Sequence, residues 1–364
     1  MGRERALAMS LKELAASLGL SQTTVSRALN GYPEVGEKTR RRVLEAAERA
    51  NYRASTAARR LATGRANALG LVFSTERNIL ERPIVMDFLT GVSETAAREG
   101  LDIVLTPTRA GEEADACLRL ATSGLVDALV LTSPILDEVR TSGIADLAFP
   151  IVTHGRPLHG QNVPYLSIDN FGGFRRGAQH LVELGHRRIG LVNGEARQAY
   201  AQDRTQGLGA ALDEAGIARA EHLVRYGPLT FTQGYQSTLS ILDEFQAPTA
   251  LLASSILVAL GAMKALAERG LRVPQDMSIV AHDDEVAAFP PSMATPQLTT
   301  LNSSIRAAGA RIAEMALAYD PRFVGDPGTG VLHGGVVTAL LDTCSGASVM
   351  LHPAHVGATA TIDL

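Results

Sequence analysis

Apolar side chains follow two different rhythms along this chain. Between residues 10 and 50 they recur at helical spacing: Leu11, Leu14, Ala15 and Leu18, then Val25 and Leu29, then Val43, Leu44 and Ala47. Residues three or four apart share a helical face, so each set predicts the inner stripe of a short helix. The stops agree. Ser10 with Glu13 is a capping box, in which hydroxyl and carboxylate satisfy amides at a helix start. Gly19 ends the first helix, because glycine reaches the left-handed turn at least cost. Ser21 caps a second helix over 22–29, which Asn30-Gly31 and Pro33 terminate. A third helix is expected over 37–50, with Arg40, Arg41 and Arg42 outward. Three short helices with a tight glycine turn between the first two form a helix-turn-helix arrangement.

From residue 68 the rhythm becomes strand–helix alternation. Short apolar runs recur at 68–73, 102–106, 127–132, 150–153, 165–168, 188–192, 222–226, 249–253 and 277–281, mostly separated by amphipathic stretches of helical length. Nearly continuous apolar runs of this size belong to parallel strands covered on both faces. An α/β fold of two doubly wound parallel-sheet lobes follows, with a ligand cleft at the carboxyl ends of the strands. A strand over 298–302 and a helix over 303–319 close this region. Pro321, Gly325, Pro327, Gly328 and Gly330 then make a breaker-rich linker. Beyond it lie a helix-compatible run, 335–350, and a strand-like run, 358–364. The expected organisation is a head with hinge over 1–64, a two-lobed domain over 65–320 and a separate tail over 321–364.

Charge sharpens this division. The net charge of −4 points to no partner, but its distribution does. The first 65 residues hold 13 lysines and arginines against six acids, and the remainder holds 21 against 32. A basic head on an acidic body is the footprint of a small polyanion-binding module, of which double-stranded DNA is one partner; a solvated basic face with no partner has the same charge. Cys117 and Cys344 are too few and too far apart for a disulfide framework and fit a reducing compartment. The start of the chain lacks an uncharged apolar stretch of the kind that marks a signal peptide. The longest apolar stretch, 250–263, contains Ser254 and Ser255 and is too short to span a bilayer. A soluble, cytoplasmic protein is expected. His154, His159 and His282 do not make metal-ligand spacing with nearby carboxylates, and 190–194 lacks the lysine of a phosphate loop. No metal and no cofactor are expected.

The residues LKELAASLGLSQTTVSRALNG (11–31) and TRRRVLEAAERANY (39–52) resemble the lactose-repressor family of bacterial regulators. In that family the second helix enters the major groove with its first turn against base edges. The resemblance implies that Gln22, Thr23 and Arg27 read bases; arginine can pair with guanine and glutamine with adenine. It gives Ser21, Thr24, Ser26 and Asn30 phosphate or capping roles. Residues 55–62 look like the family's hinge helix, with Ala58 and Leu61 at the minor groove. There an inserted leucine unstacks a base step and bends the duplex. The body resembles the family's effector domain, built like a periplasmic sugar-binding protein. Its matching stretches are IDNFGG (168–173), HLVELGHRRIG (180–190), Asp203-Arg204 with Gly207, and GLRVPQDMSIV (270–280).

By that likeness Arg204 grips effector oxygens and Asp283 accepts ligand hydroxyls. Ser74 is either a ligand contact or a helix cap, and Phe171 either stacks on the ligand or belongs to the core. The implied protein is a homodimeric repressor, controlled by a small molecule, most simply a sugar. Two motifs depart from the family. Its Asn-Asp pair reads Ser255-Ile256, and its Gly-aromatic-Asp reads Ala281-His282-Asp283. An α-glucoside is one reading of the His282-Asp283-Asp284 variant.

The tail carries a second resemblance. GVLHGGVVTALLDTCSG (330–346) is similar to the central helix of hotdog-fold acyl-CoA thioesterases. There a glycine amide at the helix start polarises the thioester and an acid directs water. Gly334 and Asp342 match those roles, with His333 beside them. Only about 44 residues match, and the rest of a hotdog sheet is missing, so the fragment reads as a nonfunctional remnant. Binding, not catalysis, is the expected activity.

Overall fold

The computed structural model describes residues 9–50, 52, 60, 64–74, 83–109, 111–136, 139–141, 143–144, 147, 149–156, 163–283, 294–318, 324–326, 331–332, 347–350 and 359–362. The chain divides into two compact units, Met1–Asn67 and Ala68–Leu364.

In the first unit, α1 (Leu11–Leu18), α2 (Gln22–Leu29) and α3 (Glu37–Arg49) pack around Leu14, Leu18, Val25, Val35 and Val43. Both halves of the capping box form: the Ser10 amide donates to Glu13 Oε2 at 2.7 Å, and the Glu13 amide to Ser10 Oγ at 3.2 Å. Those bonds hold the exposed Glu13 carboxyl below its ordinary range. Gly19 sits at φ 65°, the left-handed position that lets α1 turn into α2. Two expectations fail within α3. Leu44 is 47% exposed, because Val43 and Ala47 alone hold the inner stripe and the next residue is rotated about 100° away. Arg40 and Arg42 do not simply face outward. The Arg40 guanidinium donates to the Tyr32 carbonyl at 2.7 Å, and Arg42 donates to the Leu18 carbonyl at the end of α1 at 2.8 Å. Two cations of the basic head thus satisfy carbonyls at turns that helix geometry leaves open.

The second unit holds two sheets. The first contains β1 (Ala68–Ser74), β2 (Asp102–Thr108), β3 (Ala128–Thr132), β4 (Ile151–His154) and β5 (Tyr165–Ile168), in the order β2-β1-β3-β4-β5. The second contains β6 (Ile189–Asn193), β7 (Val224–Tyr226), β8 (Ala250–Ala253), β9 (Ser278–Asp283) and β10 (Thr299–Asn302), in the order β7-β6-β8-β9-β10. Within these ten strands every pairing is parallel. The two orders are the same doubly wound pattern, with a switch point beside the first strand of each lobe.

Helices α4 (Pro83–Arg98) and α5 (Glu113–Ser123) belong to the first lobe. α6 (Asn170–Glu183), α7 (Ala199–Glu214), α8 (Phe231–Leu242) and α9 (Ile256–Glu268) belong to the second. The chain enters the second lobe at Asp169, whose side chain caps α6 through the Gly172 amide at 2.7 Å. It returns through Ser303 into α10 (Ile305–Ala318), which packs on α4 and the first sheet. Gly207 of α7 lies against the backbone of α6, where a β-carbon would come within 2.3 Å of the Phe171 carbonyl oxygen.

The tail departs from expectation. β11 (Val324–Asp326), in the stretch read as a linker, pairs antiparallel with β12 (Val331–Leu332), just past it. β13 (Ala347–Met350) is a strand where the sequence suggested helix as far as residue 350. It pairs with β14 (Thr359–Ile362), which lies parallel to β5 and extends the first sheet. An open sheet edge offers unpaired amides and carbonyls, and that tertiary opportunity outweighs local helical compatibility.

Candidate nucleic-acid interface and ligand cleft

Helix α2 separates its faces cleanly. Val25 and Ala28 are buried in the head, while Gln22, Thr23 and Arg27 are turned away from that core. Thr23 and Arg27 are four residues apart and share one face, with Gln22 on its rim in the first turn. That turn also presents the positive end of the helix dipole. Ser21 and its neighbours are tied down. Ser21 Oγ accepts from the Thr24 amide at 3.0 Å and lies 2.9 Å from Thr24 Oγ1, and Asn30 Nδ2 donates to the Ser26 carbonyl at 2.9 Å. Capping bonds therefore engage Ser21, Thr24, Ser26 and Asn30, which fixes the pose of the outward face. Ala58 and Leu61 lie outside the described residues.

In the second unit the carboxyl ends of both sheets face a cavity of about 140 Å³ between the lobes, space for on the order of ten waters. Its first-lobe wall is apolar, from Leu71, Phe73, Ile84, Phe88 and Leu89. Polar groups converge from the second lobe, namely Asn170, Asp203, Arg204 and His282, and the first lobe adds His154 and Arg156 from the end of β4 and the loop after it.

Arg204 is 5% exposed, on α7. A buried guanidinium needs acceptors, and the described residues supply them. Nε donates to Asn170 Oδ1 at 2.8 Å, Nη1 to the Ser254 carbonyl at 2.8 Å, and Nη2 faces His282 Nδ1 at 3.4 Å. Its guanidinium carbon lies over the rings of Tyr200 and Phe174 at 4.8 and 4.9 Å, an arrangement that favours a cation. Because Arg204 only donates, His282 Nδ1 is the acceptor, which leaves Nε2–H to donate to Ser303 Oγ at 3.4 Å. Beneath this layer Asn193 Oδ1 accepts from Ser254 Oγ at 2.9 Å, and its Nδ2 donates to the Ala201 carbonyl at 2.8 Å. The site is a rigid polar floor opposite an apolar wall, which suits a ligand with both hydroxyl edges and apolar faces.

The sequence-derived effector residues fare differently. Arg204 is at the centre. Ser74 and Asp283 end β1 and β9, at the cleft end of their sheets, and their side chains lie outside the described residues. Phe171 is 41% exposed and does not line the cavity, because α6 turns Asn170, Gly173 and Phe174 inward instead. Sequence reasoning missed Asn170, His282, Asp203 and Arg156 as site members. The usable signal was Arg204 itself, since a buried arginine demands neighbouring acceptors. In the sequence His282 stands out only for the His282-Asp283-Asp284 variant and for lacking metal-ligand spacing. Gly334 and Asp342 lie outside the described residues. Among the described residues there is no cluster of metal-ligating side chains, and no helix is long and apolar enough to cross a membrane.

A small helical head with a capped, outward-facing second helix, in one chain with a two-lobed body that has a cleft at its strand ends, defines a ligand-responsive DNA-binding regulator. Residues 10–55 match the bacterial regulatory proteins of the lacI family, and residues 178–321 match the periplasmic binding protein-like domain. The chain is 42% identical to the HTH-type transcriptional regulator AglR of Rhizobium meliloti, over 84% of this chain and 86% of that protein. It is 32% identical to the regulator CelR of Thermobifida fusca, over 86% and 92%. Among solved structures, a lac repressor dimer bound to operator and the anti-inducer ONPF superposes with TM-score 0.73 at 28% identity, covering 85% of this chain and 92% of that one. A CelR–cellobiose complex superposes at 0.64 with 27% identity, covering 97% of each. The chain belongs to the LacI family and is a sequence-specific DNA-binding transcriptional regulator. The expected fold class and family are borne out. The family matches end at residue 321, and AglR and CelR are both regulators, so nothing supports the thioesterase likeness of the tail.

Proposed function

We propose that this regulator is a homodimeric repressor whose hold on operator DNA is set by a sugar bound between its lobes. The observation that carries this reading is the buried Arg204, anchored by Asn170, Ser254 and His282 and facing a cavity at the switch points of both sheets. Charged donors in a site shielded from water discriminate strongly for ligand oxygens. Leu71, Phe88 and Leu89 offer the apolar surface on which a pyranose face can rest. The cellobiose complex of CelR and the operator-bound lac repressor dimer support the ligand class, the DNA partner and the dimer.

Gln22, Thr23 and Arg27 read base edges, and Ser21, Thr24, Ser26 and Asn30 hold the helix and neighbouring phosphates. Ala58 and Leu61 engage the minor groove, while Asp283 and Ser74 join Arg204 at the sugar. Ligand binding changes the closure of the lobes and, through the hinge, the spacing of two heads. The test is fluorescence anisotropy of the full-length protein on upstream genomic fragments, across salt concentrations and with a panel of mono- and disaccharides. Specific binding that a sugar shifts tenfold or more supports the reading, whereas binding that no sugar in the panel moves would overturn the effector assignment. Acyl-CoA turnover abolished by Asp342→Ala would overturn the reading of the tail as a nonfunctional remnant.

A further inference from the structure

The two lobes are also fastened to each other directly, beside the Arg204 floor. Arg156 follows β4 in the first lobe, and Asp203 lies on α7 in the second; their side chains form a hydrogen-bonded ion pair across the cleft. Asp203 is nearly buried, so its carboxylate is costly to leave without a cation. Beside this pair the backbones of the lobes also join. The Leu136 amide donates to the Arg197 carbonyl at 2.9 Å, and the Ala199 amide donates to the Pro134 carbonyl at 3.0 Å. Ile135 and Gln198 form an isolated antiparallel bridge between them. Residues 134–136 follow β3, and residues 197–199 open α7, which carries Asp203 one turn further on. One ion pair and one two-stranded bridge therefore share a helix and close the same side of the cleft.

We propose that Arg156 and Asp203 are positioning residues that clasp the lobes and set how far the unliganded cleft stands closed. The clasp rests on the cleft being the effector site, because closure matters to regulation only there. Its physics is that of a one-sided charge pair: removing Arg156 leaves the shielded Asp203 carboxylate without its cation, removing Asp203 frees the half-exposed Arg156, and either change weakens the bridge that moves with α7. Asp203 also lines the cavity beside Arg204, so any ligand that draws on its carboxylate acts on closure directly.

The experiment is amide hydrogen exchange on the full-length protein without ligand, read at Leu136 and Ala199 and, as internal references, at Leu191 and Leu252 in the second sheet. Arg156→Gln and Asp203→Asn should each speed exchange at the two bridge amides about 5- to 30-fold while leaving the references unchanged. The double variant should be no worse than the more damaging single one, since both remove the same interaction. Arg156→Lys, which keeps the charge, should fall between Arg156→Gln and the parent. Unchanged bridge amides, references that accelerate equally, or single effects that multiply in the double variant would each overturn the clasp. Because no sugar is used, this outcome stands apart from the sugar panel, whose failure would remove only the effector reading.

Discussion

Replacing Gly207 by alanine adds one methyl group where α7 crosses α6. The new β-carbon would stand 2.3 Å from the Phe171 carbonyl oxygen and 3.0 Å from the Arg175 amide nitrogen. Both obstacles are backbone, so no side-chain rotation relieves them. The helices must part by about 1 Å to restore ordinary contact, and overpacking of this kind costs about 1–3 kcal/mol. Parting α6 from α7 also moves Asn170, at the start of α6, away from Arg204, three residues before Gly207 on α7. Differential scanning calorimetry should show the two-lobed unit melting about 4–8 °C lower, taking a loss of about 2 kcal/mol. The small head should keep its helical circular dichroism. Binding of any sugar that moves the parent protein should weaken in step. A melting temperature within about 1 °C of the parent would refute the close crossing, and a lowered one with intact sugar binding would refute the link from α6 to Arg204.

Three further outcomes follow from the head, hinge and body. Arg27→Ala should weaken specific operator binding about 5- to 150-fold by competition anisotropy and relax selectivity at the base pair it reads; equal losses on operator and random duplex would place Arg27 on phosphate instead. Leu61→Ala should lower operator affinity without changing the fold, and unchanged affinity would exclude a minor-groove wedge. Burial holds the His186 imidazole below its ordinary 6.5, where its ring bridges Thr249 Oγ1 at 2.8 Å and Ser278 Oγ at 3.0 Å. A depressed histidine favours the neutral form in the fold, so its contribution is whole above about pH 6.5 and fades as the pH falls below that value. Urea midpoints at pH 7.5 and 5.5 should therefore drop more in the parent than in His186→Gln, and equal drops would show that His186 is not the group responsible.

The amino-acid pattern alone determined the helices of the head, the ten core strands and the family. Each of those rests on local chemistry: Ser10 with Glu13 and Gly19 set helix ends within a few residues, and apolar periodicity sets which faces must be covered. Arg204 was singled out differently, by the likeness of Asp203-Arg204 with Gly207 to a family motif. Other features depend on groups distant along the chain, and only the tertiary structure decided them. His282 is 78 residues from Arg204, and Arg156 is 47 from Asp203. Neither pairing leaves a periodic trace, because their energy comes from shielding charges together, not from a repeating face. The tail shows the same limit: 347–350 is a strand paired with β14 where the local pattern suggested helix, and although 358–364 read as a strand, its place beside β5 was not in the pattern. Local sequence limits which elements can form, while burial and complementary hydrogen bonding between remote residues choose their partners.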